Sequence, residues 1–254
     1  MDRWLVDVIE DVQSGANLGD MKNVLMKIRE HLSFSNIAYV VRGPNAFVKN
    51  SVLVVGDYPG EWVEHYGKQN YVHVDPIIAH CFSTQTPYWW EHGRGKAKND
   101  RQQFFDEAAD FQLRDGISIG LPRFDGYDGL ISLASDRTLS LDHEQRQLIL
   151  LQLNALQSFI QERIVQLAGH TQYGDTHIQL SEREKACLMW VAEGKTAHAI
   201  ADILFISEST VVFHLKSAIQ KLNVSNRSHA VAKATLLGLI EPQFSASSLT
   251  IYHF

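Results

Sequence analysis

Residues 180–240 have the sequence LSEREKACLMWVAEGKTAHAIADILFISESTVVFHLKSAIQKLNVSNRSHAVAKATLLGLI, which decides the fold of the C-terminal part of the chain. The pattern predicts four short helices, because residues able to cap a first turn precede the apolar-periodic segments. Ser181 and Glu184 form a capping box, in which each side chain satisfies a backbone amide. Thr196 and Ser207 are placed to cap the second and third helices. We expect the four helices to end at Gly194, Leu204, Leu222 and Leu237.

The second and third predicted helices are separated by about three residues, which is the spacing of a helix-turn-helix. Apolar residues at helical spacing must hold these helices together: Ala199, Ile200, Ile203, Val211, Leu215, Ile219 and Leu222. Other side chains near the start of the third helix are then free to enter a major groove of DNA: Ser209, Thr210, Val212, Phe213 and Lys216. A four-helix cluster used for protein contacts has the same pattern, so the residues alone leave both interpretations open.

The composition is that of a globular protein, with 45% of its 254 residues hydrophobic and 20% charged. Such a chain fits one large domain or two modest ones, and it is neither disordered nor collagen-like. Residues 1–175 contain 16 Lys and Arg against 23 Asp and Glu, whereas residues 176–240 contain 7 against 5. Only the second segment has the positive balance of a DNA-binding surface, although a mixed solvated face gives the same surplus of two.

The cysteines and the N-terminus indicate a reducing compartment. Cys81 and Cys187 have no metal-type spacing around them, so we expect neither a disulfide framework nor a zinc site, and we expect inert thiols. The 12 histidines are scattered without ligand spacing, so no metal or other cofactor is expected. Acidic residues interrupt the apolar stretch at 1–13, where a signal peptide would be uncharged, and no apolar run approaches the ~18 residues of a membrane span. These features predict a cytoplasmic protein without a membrane segment.

The first 168 residues mix helical and extended segments. A Gly-Pro-Asn turn at 43–45 separates two extended runs, and the loop at 125–129 joins two further runs into a predicted hairpin. Helices before, between and after the strands predict an α+β domain, an α/β/α sandwich in which both faces of a mainly antiparallel sheet are covered. The predicted helices and strands are, in chain order, 16–32, 36–41, 51–55, 101–113, 117–123 and 130–134.

Residues 141–168 form the longest helical segment. Its apolar stripe is either entirely domain core or extends past the core to pair with the same helix in a second copy, and the pattern leaves both open. The stripe contains Leu148, Leu151, Ala155, Leu156, Phe159, Ile160, Ile164 and Leu167. A polar, glycine-bounded segment follows, so the predicted division is a first domain at 1–168, a linker at 169–178, a helical domain at 179–240 and a tail at 241–254.

A series of short motifs in the C-terminal segment resembles the DNA-binding domain of LuxR-type transcription regulators. The resemblance implies a tetrahelical domain that binds double-stranded promoter DNA as a dimer, with the helix at 208–222 in the major groove. It also implies phosphate contacts from Lys195, Thr196 and Lys216. The matching motifs are S-x-R-E at 181–184, E-G-K-T at 193–196, I-S-x-x-T-V-x-x-H at 206–214, K-L-x-V at 221–224 and A-x-x-x-G-L-I at 234–240.

The N-terminal segment resembles the autoinducer-binding domain of the regulators that respond to acyl-homoserine lactones. By this resemblance, Trp62 would donate its indole N–H to the lactone carbonyl, and Asp75 would accept from the amide N–H. Tyr58, helped by Ser132, would donate to the amide carbonyl. The motifs that carry the resemblance are Tyr58-Pro59-Gly60-Glu61-Trp62-x-x-x-Tyr66, Tyr71-x-x-x-Asp75-Pro76-Ile77-Ile78, Trp90 and Gly116.

By the same resemblance, Tyr66 and Trp90 would form walls around the head and tail of the ligand. Each of these residues also has a plain structural explanation. Trp62 and Tyr66 are spaced as a core-facing stripe, Asp75 is placed as a helix N-cap, Trp90 fits core packing, and Ser132 fits an ordinary strand hydroxyl. Their joint occurrence at family spacing favours the ligand site.

Two residues depart from the family pattern. Val212 replaces a residue that is usually basic or an amide, and valine can contact a thymine methyl but cannot hydrogen-bond a base. Trp89 replaces a smaller side chain, and its direction determines whether it narrows the channel for an acyl tail.

Together these features predict a cytoplasmic quorum-sensing transcription regulator. We expect it to bind an N-acyl homoserine lactone, to form a homodimer and to contact RNA polymerase at a promoter. The alternative is a regulator of the same type that responds to a different small molecule or acts without a ligand. An enzyme is not expected, because neither a metal cluster nor an activated nucleophile is present in the pattern.

Overall fold

A computed structural model describes residues 3–43, 52–93, 100–124, 126–172 and 178–241. The chain divides into two compact units, Met1–Asp175 and Thr176–Phe254. Five predictions lie wholly or partly outside the described residues: the turn at 43–45 after Gly43, residue 51 of the run at 51–55, residue 125 of the hairpin loop, residues 173–177 of the linker, and the tail after Glu241.

The N-terminal unit consists of helices packed on both faces of one sheet, as predicted. Its helices are α1 (Arg3–Ser14), α2 (Leu18–His31), α3 (Gly60–Lys68), α4 (Pro76–Cys81), α5 (Asp100–Asp110) and α6 (His143–Gln172). Its strands are β1 (Asn36–Arg42), β2 (Val52–Gly56), β3 (Tyr88–Trp89), β4 (Asp115–Phe124) and β5 (Tyr127–Ser135). Short 3-10 turns cover Tyr71–His73 and Trp90–His92.

Local sequence explains most of the element boundaries. The Asn17 side chain accepts from the backbone N–H of Asp20 and begins α2. Gln112 has a left-handed backbone, so α5 ends at Asp110 rather than continuing to Leu113 as predicted. Neither α1 nor the two-residue strand β3 was predicted.

The sheet has the strand order β2-β1-β5-β4-β3, and every neighbouring pair is antiparallel. The predicted hairpin is confirmed as β4 and β5, which are longer at both ends than the apolar runs indicated. In this register Ser118 lies directly opposite Ser132, in the centre of the sheet.

The two faces of the sheet differ in the size of their side chains. Along β4, Ile117, Ile119 and Leu121 pack into the core formed with α1, α2 and α6. The alternate positions are Gly116, Ser118 and Gly120, which belong to the opposite face because side chains alternate along a strand. At Gly120 a Cβ atom would lie 2.1 Å from the Cys81 carbonyl oxygen, so α4 approaches this face too closely for a side chain.

Helix α6 has a buried face and an exposed apolar stripe. Leu156, Ile160 and Ile164 belong to the domain core, so this part of the predicted stripe is buried within the unit. Four other apolar residues of α6 are exposed and recur at intervals of three or four residues: Leu148, Leu151, Ala155 and Phe159. The helix also continues to Gln172, four residues into the predicted linker.

A buried glutamine fixes α6 on the sheet. Gln161 accepts a hydrogen bond of 2.7 Å from the Tyr39 hydroxyl and donates one of 3.1 Å to the Tyr127 carbonyl. A Cβ atom at Gly129 would lie 2.2 Å from the Gln161 side-chain oxygen, so a side chain at this position would displace the Gln161 amide. The polar contact therefore sets the register of the helix against two strands.

The C-terminal unit contains four helices with the predicted caps. They are α7 (Glu182–Ala192), α8 (Ala197–Leu204), α9 (Glu208–Lys221) and α10 (Arg227–Leu236). The capping box of Ser181 and Glu184 is present, and Thr196 and Ser207 cap α8 and α9. Asn226, which was not predicted as a cap, accepts from the backbone N–H of His229 and begins α10.

Two residues expected to hold the helix-turn-helix together contribute less than predicted. Ile203 is exposed, and Ala199 is only half-buried. The core instead consists of Ile200, Ala201, Val211, Leu215, Ala218 and Leu222 with residues from α7 and α10. Ile200, Ala201 and Leu204 define the face of α8 that packs on this core, and at about 100° per residue Ile203 lies to the side of that face.

Helices α8 and α9 meet at an angle of 107°. Within the described ranges, no single helix is long and apolar enough to cross a membrane. The bent α8–α9 pair passes the same test of length and composition only when its two helices are taken together.

We expect Gln161→Met to lower the free energy of unfolding of the N-terminal unit by about 1–3 kcal/mol, because it leaves the buried Tyr39 hydroxyl without an acceptor. Urea denaturation followed by tryptophan fluorescence measures this change, since four of the five tryptophans lie in this unit. The double variant Tyr39→Phe/Gln161→Met should lose less free energy of unfolding than Gln161→Met alone, because it has no buried hydroxyl without an acceptor. Gln147→Met, at an exposed position of α6, is the matched control; equal effects at 147 and 161 would contradict the assignment.

Candidate functional site

The six predicted ligand-binding residues lie together on the sheet face that carries small side chains. Trp62, Asp75, Trp90 and Ser132 are buried, and Tyr58 is half-buried. Tyr66, also half-buried, and Tyr58 pack against the same aromatic cluster as the two tryptophans. The cluster is built from α3, α4, α5 and the two 3-10 turns.

A chain of hydrogen bonds crosses the sheet beneath this cluster. The Trp90 indole N–H donates to the Ser118 hydroxyl at 3.0 Å, the two serine hydroxyls are 2.6 Å apart, and the Tyr58 hydroxyl donates to Ser132 at 3.0 Å. These four groups carry four polar hydrogens, and the three hydrogen bonds use three of them. One serine hydroxyl hydrogen therefore has no acceptor among the described residues.

Ser118 was missed by the sequence analysis. The predicted hairpin could have identified it. Once the two strands are paired, Ser118 lies directly opposite Ser132 on the neighbouring strand. Ser118 is almost fully buried and links Trp90 to Ser132, so it belongs to the candidate site.

Asp75 is the N-cap of α4, one of the two roles considered for it. Its Oδ1 atom accepts from the backbone N–H groups of Ile77 at 2.8 Å and Ile78 at 3.4 Å and so caps α4. Its Oδ2 atom accepts from the Tyr66 hydroxyl at 3.0 Å. Burial raises the pKa of Asp75 to about 6, although these hydrogen bonds oppose the shift. A buried carboxylate of this kind is stabilised by any further donor.

Trp62 is 4% exposed, and its ring lies against His65, Tyr66, Tyr71, Phe104 and Phe111. Its indole N–H makes no hydrogen bond within the described part of the chain. The indole nitrogen is not fully buried, so this unused donor remains accessible to a bound molecule.

Glu107 holds together the elements that surround Trp62. Its Oε2 atom lies 2.5 Å from the Tyr71 hydroxyl and 2.5 Å from Nε2 of His65, and Gln103 donates to Oε1 at 2.7 Å. These three hydrogen bonds lower the pKa of Glu107 to about 2, with the Tyr71 bond the largest cause. The carboxylate thus connects α5 to α3 and to the first 3-10 turn, a role that no sequence motif indicated.

The adjacent residues Trp89 and Trp90 point to opposite faces of the sheet. Trp90 lies on the site face, where a Cβ atom at Gly116 would approach its ring to 3.0 Å. Trp89 belongs to the core on the other face, and the Arg146 guanidinium lies 4.5 Å from its ring centre. Trp89 therefore does not narrow the space on the site face.

The site face offers two unused donors, from Trp62 and the serine pair, and one buried carboxylate acceptor. Aromatic and aliphatic side chains surround these groups. Within the described residues there is no group of three or more His, Cys, Asp or Glu that could hold a metal ion. Cys81 lies in the same cluster, and burial raises the pKa of its thiol to about 12, so it is a poor nucleophile. The chemistry is that of binding rather than of catalysis.

The predicted DNA-contacting residues lie at the surface of the C-terminal unit. Lys195, Thr196, Ser209, Val212, Phe213 and Lys216 are all exposed. Thr210 is only half-buried, and its hydroxyl lies 2.7 Å from that of Ser207, so it supports the cap of α9.

Glu184 attaches the recognition helix α9 to α7. This buried carboxylate accepts from Ser217 at 2.6 Å and from Lys221 at 2.8 Å, in addition to its capping-box bond with Ser181. Burial opposes ionisation, but the hydrogen bonds from Lys221, Ser217 and Ser181 outweigh it and lower the pKa of Glu184 to about 2. The position of α9 therefore depends on a contact at its inner face.

The raised pKa of Asp75 predicts a pH-dependent stability of the ligand-free protein. The folded state binds this proton more tightly than the unfolded state, whose pKa is near 3.8, so ionisation destabilises the fold as the pH rises from about 4 to about 6. Asp75→Asn removes the charge and keeps a capping oxygen. We expect its free energy of unfolding, relative to the wild type, to rise by roughly 1–3 kcal/mol between pH 4.5 and pH 7.5.

Urea denaturation at both pH values measures this difference. Asp110→Asn, at an exposed carboxylate that ends α5, is the matched control and should show no such rise. A difference between Asp75→Asn and the wild type that is independent of pH would contradict a buried, ionised Asp75.

Comparison with known proteins gives matches to both units. The model of the autoinducer binding domain matches residues 17–164, and that of the bacterial regulatory proteins of the luxR family matches residues 178–234. The chain is 29% identical to the transcriptional activator protein AnoR of Acinetobacter nosocomialis over 240 residues, which cover 94% of this chain and all of AnoR. It is 32% identical to the quorum-sensing regulator RhlR of Pseudomonas aeruginosa over 217 residues, which cover 85% and 88% of the two chains.

Solved structures show the same architecture along the chain. The structure of SdiA in complex with octanoyl-rac-glycerol has a TM-score of 0.80 and 25% sequence identity, covering 96% of this chain and 99% of that one. A structure of Escherichia coli SdiA has a TM-score of 0.78 at the same identity. With both units matched in this order, the chain belongs to the LuxR family and is a quorum-sensing transcription regulator, not an enzyme, with an autoinducer-binding domain followed by a DNA-binding helix-turn-helix.

Proposed function

We propose that the autoinducer is an N-acyl homoserine lactone, bound between α3, α4, α5 and the small-residue face of the sheet. Trp62 donates to the lactone carbonyl, and Asp75 accepts from the amide N–H. The sequence suggested Tyr58, helped by Ser132, as the donor to the amide carbonyl, but the Tyr58 hydroxyl hydrogen is used in the bond to Ser132. The spare hydroxyl hydrogen of the Ser118–Ser132 pair, oriented by Tyr58 and Trp90, is donated to the amide carbonyl instead. Tyr66 and Trp90 form the walls of the site.

The match between unused polar groups and ligand chemistry carries this proposal. An acyl-homoserine lactone has two carbonyl acceptors and one amide donor, and the site has two unused donors and one carboxylate acceptor. A ligand of this class gives each unused donor an acceptor and gives Asp75 a further donor, so each of these hydrogen bonds adds to its affinity.

An acylglycerol is the second candidate, since SdiA, of similar fold, has been solved in complex with octanoyl-rac-glycerol. A glycerol hydroxyl can also donate to a carboxylate, so Asp75 alone does not distinguish the two. The Trp62 indole N–H does not distinguish them either, because a glycerol hydroxyl oxygen accepts a hydrogen bond as a lactone carbonyl does. Binding of each ligand class must therefore be measured directly. The third candidate, a regulator that acts without ligand, leaves these polar groups unpaired.

Thermal unfolding with a panel of acyl-homoserine lactones and with octanoyl glycerol tests the ligand class. A lactone at about 100 times its Kd should add about 2.7 kcal/mol to the free energy of unfolding. Trp62→Phe keeps a ring and removes the donor, so we expect its lactone Kd to rise tenfold or more. Trp190→Phe, in the C-terminal unit, is the matched control. A panel without any lactone shift, from folded protein, would exclude the lactone.

We further propose that the regulator acts as a homodimer through the exposed stripe of α6. Leu151 is 64% exposed, and Leu148, Ala155 and Phe159 continue the stripe along the same face. Apolar residues at this spacing bury one another when two copies of the helix pair. The same face contains no charged residue at these four positions, which favours self-association over solvation.

Leu151→Glu tests the dimer, because it introduces a charge at the centre of the stripe. We expect the monomer fraction at micromolar concentration to rise at least tenfold, measured by sedimentation equilibrium. Val54→Glu, which places the same charge on an exposed apolar residue of β2, should leave the mass unchanged. A Leu151→Glu variant with the mass of the wild type would exclude this interface.

In this scheme residues 1–168 bind the ligand, residues 169–178 connect the domains, and residues 179–240 bind promoter DNA in the cytoplasm. Ligand binding raises the population of the folded, dimeric form, which then has two helix-turn-helix units for two half-sites. A contact with RNA polymerase at the promoter completes the role implied by relatives that are named transcriptional activators.

A further inference from the structure

The exposed large hydrophobic side chains of the C-terminal unit are confined to one short segment. Within the described residues 178–241 they are Ile203, Phe205, Val212 and Phe213. All four belong to the helix-turn-helix, and two of them lie on the recognition helix itself. These apolar side chains therefore lie on the element that binds DNA in the family.

The geometry of α9 places Phe213 at the centre of its outer face. Helical residues turn by about 100° each, so Val211, Leu215 and Ala218 define the buried face. Ser209, Phe213 and Lys216 lie on the opposite side. Val212 is 38% exposed and lies at the edge between the two faces, whereas Phe213 is 66% exposed.

Phe205 lies in the turn between α8 and α9, in a backbone conformation that phenylalanine seldom adopts. Its backbone is left-handed, with φ of 55°, where glycine and asparagine are less strained than phenylalanine. The side chain is 93% exposed, so burial does not compensate for this strain. A strained, exposed aromatic ring beside the start of a recognition helix indicates a contact made outside the chain.

Few hydrogen-bonding groups accompany these apolar side chains. On the first three turns of α9 the basic side chains are the exposed Lys216 and the half-buried His214, and the Ser209 hydroxyl lies 2.8 Å from that of Ser207. In a major groove the thymine C5-methyl is the one apolar group that a base edge presents, and the other groups are hydrogen-bond donors or acceptors. The two exposed apolar side chains of α9, Val212 and Phe213, therefore have a single complementary feature among the four bases.

We infer that this helix-turn-helix recognises thymine methyl groups through Val212 and Phe213. Phe205 extends the same apolar surface over a deoxyribose at the edge of the groove. The inference rests on the DNA-binding function of the family, and it specifies which chemical group of the bases is recognised. It predicts half-sites with A·T pairs at the positions that α9 contacts.

The probe is obtained by selecting, from a random duplex pool, the DNA that the full-length protein binds. The protein is used with the lactone that raises its thermal midpoint most, or without ligand if no lactone raises it. The enriched duplex is then synthesised with thymine and with deoxyuridine, which lacks only the methyl group. We expect affinity to fall about fourfold for each contacted methyl that is removed. The expected loss for two contacts is therefore more than tenfold, measured by fluorescence anisotropy.

Variants separate methyl recognition from general DNA binding. Val212→Ala and Phe213→Ala should each reduce the thymine-to-uracil affinity ratio, whereas Lys195→Ala should lower the affinity for both duplexes and leave the ratio unchanged. Val54→Ala, at an exposed valine of β2, should change neither quantity. Phe205→Asn should lower the affinity for both duplexes and keep or raise the thermal midpoint, because asparagine relieves the strain.

Equal affinity of the wild type for thymine and uracil duplexes would overturn the methyl inference while the DNA-binding function stands. Failure to enrich any duplex would contradict the DNA-binding function and the inference together. A Phe205→Asn variant that binds DNA normally but fails in transcription with purified RNA polymerase would overturn the DNA contact of Phe205, since the ring would then belong to a polymerase contact.

Discussion

The alternation of large and small side chains along β4 is the constraint on which the N-terminal unit depends. Isoleucine and leucine on one face build the core with α1, α2 and α6, while glycine and serine on the other face leave room for Trp90 and α4. A one-residue shift in strand register would exchange the two faces, bringing the large side chains under the site and the glycines under the core. Both the stability and the site therefore follow from one register.

The polar groups of the site are arranged on top of this alternation. Ser118 and Ser132 meet because the β4–β5 register places them opposite each other, and they receive hydrogen bonds from Trp90 and Tyr58. Asp75 is held by its own helix cap, and Trp62 by the elements that Glu107 connects. Contacts within the protein thus hold the hydrogen-bonding groups of the site in position before any ligand binds. Such preorganisation lowers the entropic cost of binding.

The C-terminal unit combines a conserved architecture with an unusual surface. Its caps and core follow from short polar and apolar signals, and Glu184 secures α9 from the inside. The outer face of α9 is free of such structural requirements, so its side chains can change without loss of the fold. Val212 is a departure of this kind from the family pattern, and it is 38% exposed at the edge of that face.

The sequence by itself determined the four helices of 180–240 with three of their caps and the two-sided sheet, and it predicted that six residues would lie together. These features are encoded locally, in N-cap side chains and in apolar periodicity, or in motif spacing. Only the tertiary structure decided that Ser118 joins Trp90 to Ser132, that Glu107 supports Trp62, and that Trp89 faces away from the site. It also decided that Ile203 is exposed and that the stripe of α6 divides into a core face and an outer face. The physical reason is that these outcomes depend on strand register and on the close approach of elements distant in sequence, such as α6 at Gly129, which no local pattern encodes.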